Sequence, residues 1–162
     1  MSQQETTQPV RPVVAQPLRT PAILTAAMLV AVAVNTLVAI VAKSLGANPG
    51  FAPLSLAVYG PFTVIGVLVG WLGWWLIQRR AAHPDATLRV LVPVMVVVSW
   101  APDLTLLVLR FIPETSTAGV LGLMVMHLVV AGVAVPAYAV ATKRSAKPSS
   151  RAAQSAPHPV TS

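Results

Sequence analysis

Four apolar runs, each about as long as a bilayer is thick, constrain this chain more than any motif in it. They are approximately Ile23 to Ala42, Leu54 to Ile77, Val90 to Leu109 and Ala118 to Val140. A hydrocarbon core about 30 Å thick is crossed by roughly 20 apolar residues in a helix. The remainder of the chain cannot rescue a soluble reading: 56% of its 162 residues are hydrophobic and 9% are charged, too little polar surface to cover a globule of that size. None of the runs shows the two-residue alternation of a lipid-facing barrel strand. Backbone N–H and C=O groups in hydrocarbon need internal partners, which a helix supplies within itself. The expected fold class is therefore all-α, a membrane-spanning four-helix antiparallel bundle. Its connections are "GANPGFAP", "QRRAAHPDATLR" and "RFIPETST".

The bundle is expected over residues 23–142. Residues 1–22, "MSQQETTQPVRPVVAQPLRTPA", are polar and proline-rich and read as a disordered tail, as do the basic and low-complexity residues 143–162. A cleaved secretory signal is the competing reading of the N-terminal region. The long positive stretch, an apolar run long enough to span, and the lack of a clear A-x-A site favour a retained first helix.

Lysine and arginine set the orientation. One side of the membrane carries Arg11, Arg19, Arg79, Arg80, Arg89, Lys143, Arg144, Lys147 and Arg151, and the other only Lys43 and Arg110. Nine against two places both termini and the central loop in the cytoplasm. Trp71, Trp74 and Trp75 precede Arg79 and Arg80, where indoles are expected to anchor the second helix at the inner interface. The formal net charge of +7 is clustered between apolar runs without a nucleic-acid-binding pattern, so the anionic partner is the lipid bilayer and no nucleic acid is expected. The chain has no cysteine, which removes disulfides, thiolate metal sites and a cysteine nucleophile.

Each span carries one conspicuous polar residue. At 1.5 Å per residue from their outer ends, Asn35 lies about 12 Å deep, Thr63 about 14 Å, Asp103 about 10 Å and His127 about 15 Å. Each shares a helical stripe with small or polar neighbours: Ala31, Asn35, Ala39 and Ala42; Tyr59, Thr63, Gly66, Gly70 and Gly73; Ser99, Asp103 and Arg110; His127, Ala131, Ala134 and Tyr138. Gly66, Gly70 and Gly73 are the expected helix-packing positions, Gly66 and Gly70 forming a GxxxG pair. Stripes turned inward would gather Asn35, Thr63, Asp103 and His127 into one intramembrane polar cluster. For Asn35 and Thr63 the plain reading, helix-packing glue, outweighs function.

Asp103 needs more explanation, because an aspartate in the membrane interior costs about 3 kcal/mol even on the lenient insertion scale. Pro102 removes the N–H that would bond the Val98 carbonyl, so a helix break or fresh start is expected there. Asp103 would then occupy a first turn, where the dipole favours negative charge, with Ser99 or a neighbour as cap. His127 is the expected partner, donating a hydrogen bond when neutral and forming an ion pair when protonated. Such a pair can fix helix register or relay protons. Pro93 and Pro136 suggest further kinks.

Enzyme chemistry is not expected. No HExxH, GxSxG or P-loop pattern occurs, and Asp103 is the one intramembrane residue among four acidic ones. No catalytic residue, metal ligand or cofactor-binding residue is assigned.

At "SWAPDL", the "RR" that follows the glycine-striped second helix, and "MHLVVAGVAVPAYA", the chain resembles a family of small bacterial four-helix integral membrane proteins of unknown function. The likeness spans roughly Pro21 to Lys143. It implies a multi-pass protein of the bacterial cytoplasmic (inner) membrane and singles out Asn35, Pro102 with Asp103, and Met126 with His127. It implies no activity. The expected role is a small structural, interaction or accessory component, with a homo-oligomer or larger membrane complex as further partner. The alternative is a proton- or cation-linked small transporter acting as an oligomer, with Asp103 and His127 as its ionisable pair.

Overall fold

The computed structural model describes residues 19–145, all-helical with no strand among them. Five α-helices follow in chain order: α1 Arg19–Ser44, α2 Leu56–Arg80, α3 Pro84–Ser99, α4 Ala101–Leu109 and α5 Thr117–Ser145. A 3-10 turn, Ala52–Leu54, lies in the first connection. α3 and α4 are the two halves of one span, so four stretches are long and apolar enough to cross a membrane.

The helix ends differ from the expected boundaries for local reasons. α1 takes in Arg19, the first described residue, and includes Pro21 in its first described turn, ahead of the expected start at Ile23. α3 begins at Pro84, with proline at an N-terminal position and Asp85 in the first turn, so the central loop shrinks to residues 81–83. α5 runs on at least to Ser145, past the expected end of the bundle. The expected tails at 1–18 and 146–162 lie outside the described residues. α3 and α5 continue through Pro93 and Pro136 without interruption.

Small side chains set the tightest packing, between α1 and α5. The α1 stripe Ala31, Asn35, Ala39 and Ala42 is buried along its whole length. A Cβ added at Gly122 of α5 would stand 2.9 Å from the Ala42 Cβ, closer than carbon atoms pack, so only glycine permits this approach. α1 ends in a left-handed Gly46 at φ +98°, and the Ala47 N–H returns to the Ala42 carbonyl at 2.9 Å. The loop that follows folds back over the bundle end. Phe51 and Leu54, each 1% exposed, pack there with Ala42 and Val120.

A second core lies towards the basic end, where Leu24, Val67, Ala134 and Tyr138 pack with Trp71 and Trp74. Both indoles lean on the Tyr138 ring, at centroid distances of 5.6 and 5.8 Å. Trp74 Nε1 donates to Thr142 Oγ1 at 3.0 Å. The three tryptophans expected at the inner interface therefore differ in what they touch. Trp71 and Trp74 turn inward because Tyr138 offers them a ring and α5 an acceptor, while Trp75 stays exposed beneath the Arg79 guanidinium, 4.2 Å from its ring centre.

The third span is the least enclosed. Of its apolar stretch 11% is buried, against 28%, 22% and 28% for the first, second and fourth. It rests on α2 and α5, the helices that bear the glycine and histidine stripes.

Gly70 is the glycine of α2 that packing needs most, because an added Cβ would lie 2.6 Å from the Tyr138 hydroxyl, itself donating to the Val67 carbonyl. Gly70→Leu should therefore dislodge that hydroxyl and lower stability by about 1–3 kcal/mol, the usual cost of overpacking. Thermal unfolding in lipid reads it; an unchanged midpoint would mean that α2 and α5 do not meet there.

Candidate functional site: an intramembrane cleft with two polar pairs

The third span breaks where proline removes a donor. Trp100 closes α3 with its N–H on the Val97 carbonyl at 3.2 Å, and the Leu104 N–H restarts the ladder on the Trp100 carbonyl at 2.9 Å. Asp103 therefore stands in the first turn of α4. Ser99 does not cap this helix: its hydroxyl donates back to the Val96 carbonyl at 2.7 Å, as serine in a last helical turn readily does. Trp100 holds the N-cap position in helical conformation, with no side-chain cap.

One turn of α5 receives this break. Trp100 Nε1 donates to the Met124 carbonyl at 3.1 Å. Three residues along α5, His127 Nδ1 lies 3.3 Å from Asp103 Oδ2, the only ion-pair contact among the described residues. The same Nδ1 is 2.9 Å from the Leu123 carbonyl. A carbonyl and a carboxylate only accept, so Nδ1 must carry the proton, and the neutral imidazole is the Nδ1–H tautomer with Nε2 free to accept. The proton is aligned on Leu123, which leaves Asp103 Oδ2 without a hydrogen bond of good geometry although the atom is buried. The partners are unequally covered: the His127 side chain is 39% exposed and that of Asp103 is 9% exposed.

The second pair joins α1 and α2. Asn35 Nδ2 donates to Thr63 Oγ1 at 2.9 Å, and Asn35 Oδ1 is buried with no partner. One residue on, Thr36 shares a 2.8 Å hydrogen bond with the Tyr59 hydroxyl. The four expected residues are therefore two pairs. No hydrogen bond links Asn35 or Thr63 to Asp103 or His127, because α1 packs on α5 and α2 while the third span lies on the far side of those helices.

Both pairs nevertheless line one cleft of about 830 Å³ between α2, the third span and α5. Its walls are almost wholly apolar, running from Ile112 and Phe111 in the connection between α4 and α5 to Trp74, Ile77 and Leu88 near the basic end. Phe62 and Met95 line it while 69% and 56% exposed, so it opens sideways to the surroundings. The volume falls in the range of small-molecule pockets, about 300–1,000 Å³. Gly66 and Gly73 help to make it. An added Cβ at Gly66 meets only Val130, at 4.0 Å, and one at Gly73 meets nothing within 4 Å. Gly73, expected at a helix contact, faces this open space instead, since α2 turns Tyr59, Thr63 and Val67 towards the core.

A family model covers most of the chain, residues 15–144, and its description is "family of unknown function" (DUF6069). The chain belongs to that family. The match takes in every described helix and both polar pairs, to within a residue of the α5 end. No curated protein matches the chain. No solved structure matches it either.

Arg110, on the expected stripe with Asp103, is turned away by its left-handed conformation at φ 46°, which ends α4. Trp100 has no role in the sequence reading, although it lies three residues before Asp103.

The contact between Asp103 and His127 predicts non-additive losses. His127→Leu strands a buried carboxylate and should cost about 3 kcal/mol, whereas Asp103→Leu strands only a half-exposed imidazole and should cost about 1 kcal/mol. The double replacement should be milder than the two losses summed. Agreement with the sum to within about 0.5 kcal/mol, the margin for independent sites, would show that the side chains do not interact.

Proposed function

We propose that this protein is a small accessory component of the bacterial cytoplasmic membrane that binds a guest from within the bilayer and carries out no catalysis of its own. Both termini and the 81–83 loop face the cytoplasm, a reading supported by the nine-to-two distribution of lysine and arginine. The observation that carries the binding role is the cleft. A bundle built only for packing would close α3 and α4 against α2 as it closes α1 against α5. Here glycines keep the α2 wall low, and the third span is held to α5 by polar contacts at one turn.

A second reading, proton- or cation-linked transport by an oligomer, draws its support from Asp103 and His127, residue types that relay protons inside membranes. It requires in addition that the cleft become open to both sides in turn. Movement of an ion by the purified protein in liposomes would favour it.

The accessory role is tested by extraction in native lipid and mass measurement of the intact assembly, comparing the natural chain with a Gly66→Leu, Gly73→Leu double variant. A Cβ at these positions meets at most Val130, at 4.0 Å, and leucine is a better helix former than glycine, so the fold should be kept. The natural chain should carry a stoichiometric guest that the variant loses. The same guest mass retained on both chains, or none on the natural chain, would remove the basis of this reading.

A further inference from the structure

Acceptors without donors define what the cleft can hold. Asp103 is 7% exposed and Asn35 1% exposed; both residues line the cleft, and each has one enclosed oxygen, Oδ2 and Oδ1, without a hydrogen-bond partner, Oδ2 lying 3.3 Å from His127 Nδ1. The one donor near Oδ2, the His127 Nδ1 proton, is aligned on the Leu123 carbonyl. No lysine or arginine lines the cleft, and Asp103 is its sole acidic residue. A buried carboxylate oxygen in such surroundings is strongly unfavourable until a donor, best a charged one, reaches it.

The rest of the cleft is a channel for hydrocarbon. From Asp103 to Leu88 the third span covers about 22 Å at 1.5 Å per residue, and the lining between them is apolar apart from Ser99. Gly66, Gly70 and Gly73 form a low wall on the α2 side of that stretch.

We propose that the cleft binds a single-chain amphiphilic organic cation, its ammonium group at the Asp103 carboxylate and its hydrocarbon chain laid along the glycine wall of α2 towards Leu88. This rests on the binding role proposed above and names the chemical class of the guest. An ammonium group brings up to three N–H donors and a positive charge, which neutralises the carboxylate. A long-chain alcohol brings one weaker donor and no charge. An anionic amphiphile would set like charge against Asp103, and a phospholipid would bring a phosphate that the lining has no basic residue to meet.

The probes are dodecylamine and dodecanol, titrated against the full chain in a neutral detergent and counted as bound adducts by native mass measurement. The natural chain should take up one dodecylamine at least about tenfold more tightly than dodecanol, and Asp103→Asn should reduce that preference about tenfold or more, since each factor of ten needs only about 1.4 kcal/mol. The comparison of amine with alcohol needs no variant, so it holds even if Asp103→Asn unfolds. Equal affinity for the two probes, or no uptake of either, overturns the proposal. Equal affinity that Gly66→Leu, Gly73→Leu abolishes would sink the cationic assignment and leave the cleft as a binding site, whereas uptake untouched by that double variant would sink the cleft reading too.

Discussion

One turn of α5, from Leu123 to His127, receives the break in the third span, and the arrangement of the rest depends on it. Proline at position 102 denies that span a continuous ladder, and the side chains around the break find their partners on the neighbouring helix: the Trp100 indole on the Met124 carbonyl, Asp103 beside His127. In water such groups could turn to solvent. In hydrocarbon they cannot, so two short polar contacts position a helix pair that buries little of its own surface. A buried carboxylate is costly, but it is also a directional tie that apolar packing between lipid-like side chains does not provide.

The size of side chains decides where the bundle is closed and where it stays open. Ala42 against Gly122 brings α1 and α5 as near as backbones permit, and Gly70 accepts the Tyr138 hydroxyl in the same way. Two more glycines of α2, Gly66 and Gly73, have no such neighbour, and there the small residue makes space rather than contact. The same amino acid thus serves as a packing device and as a cavity-forming one, depending on whether an opposing side chain comes to meet it. The polar pairs occupy the boundary between these regimes, each anchored to a tightly packed helix and each facing the open cleft.

Much of this was legible in the sequence because the bilayer imposes a length rule and forbids stray polar groups. The four spans follow from apolar run length, the break from Pro102, and the buried face of α1 from its alanine and asparagine period. Other features depend on neighbours that a single helix does not announce. Whether Asn35, Thr63, Asp103 and His127 form one cluster or two pairs is set by which helices touch, and periodicity gives a face without saying which neighbour it meets. Trp71 and Trp74 have the sequence position of an interfacial belt and turn inward because Tyr138 lies opposite. Gly73 shares the stripe of Gly66 and Gly70, yet only at Gly70 does an opposing side chain, Tyr138, come to meet it. The burial of Phe51 and Leu54 belongs to a loop, where no period exists to be read.

The central claim is that His127 presents a proton-bearing Nδ1 to Asp103 and the Leu123 carbonyl, and through it ties the third span to α5. Ring-nitrogen NMR of the isotope-labelled protein in lipid tests this directly, with His83 and His158 replaced by glutamine so that His127 alone among the three histidines gives a signal. The account predicts a protonated, hydrogen-bonded Nδ1 whose resonance shifts when Asp103 is replaced by leucine. A bare Nδ1 with the proton on Nε2 alone, indifferent to the residue at position 103, would contradict it.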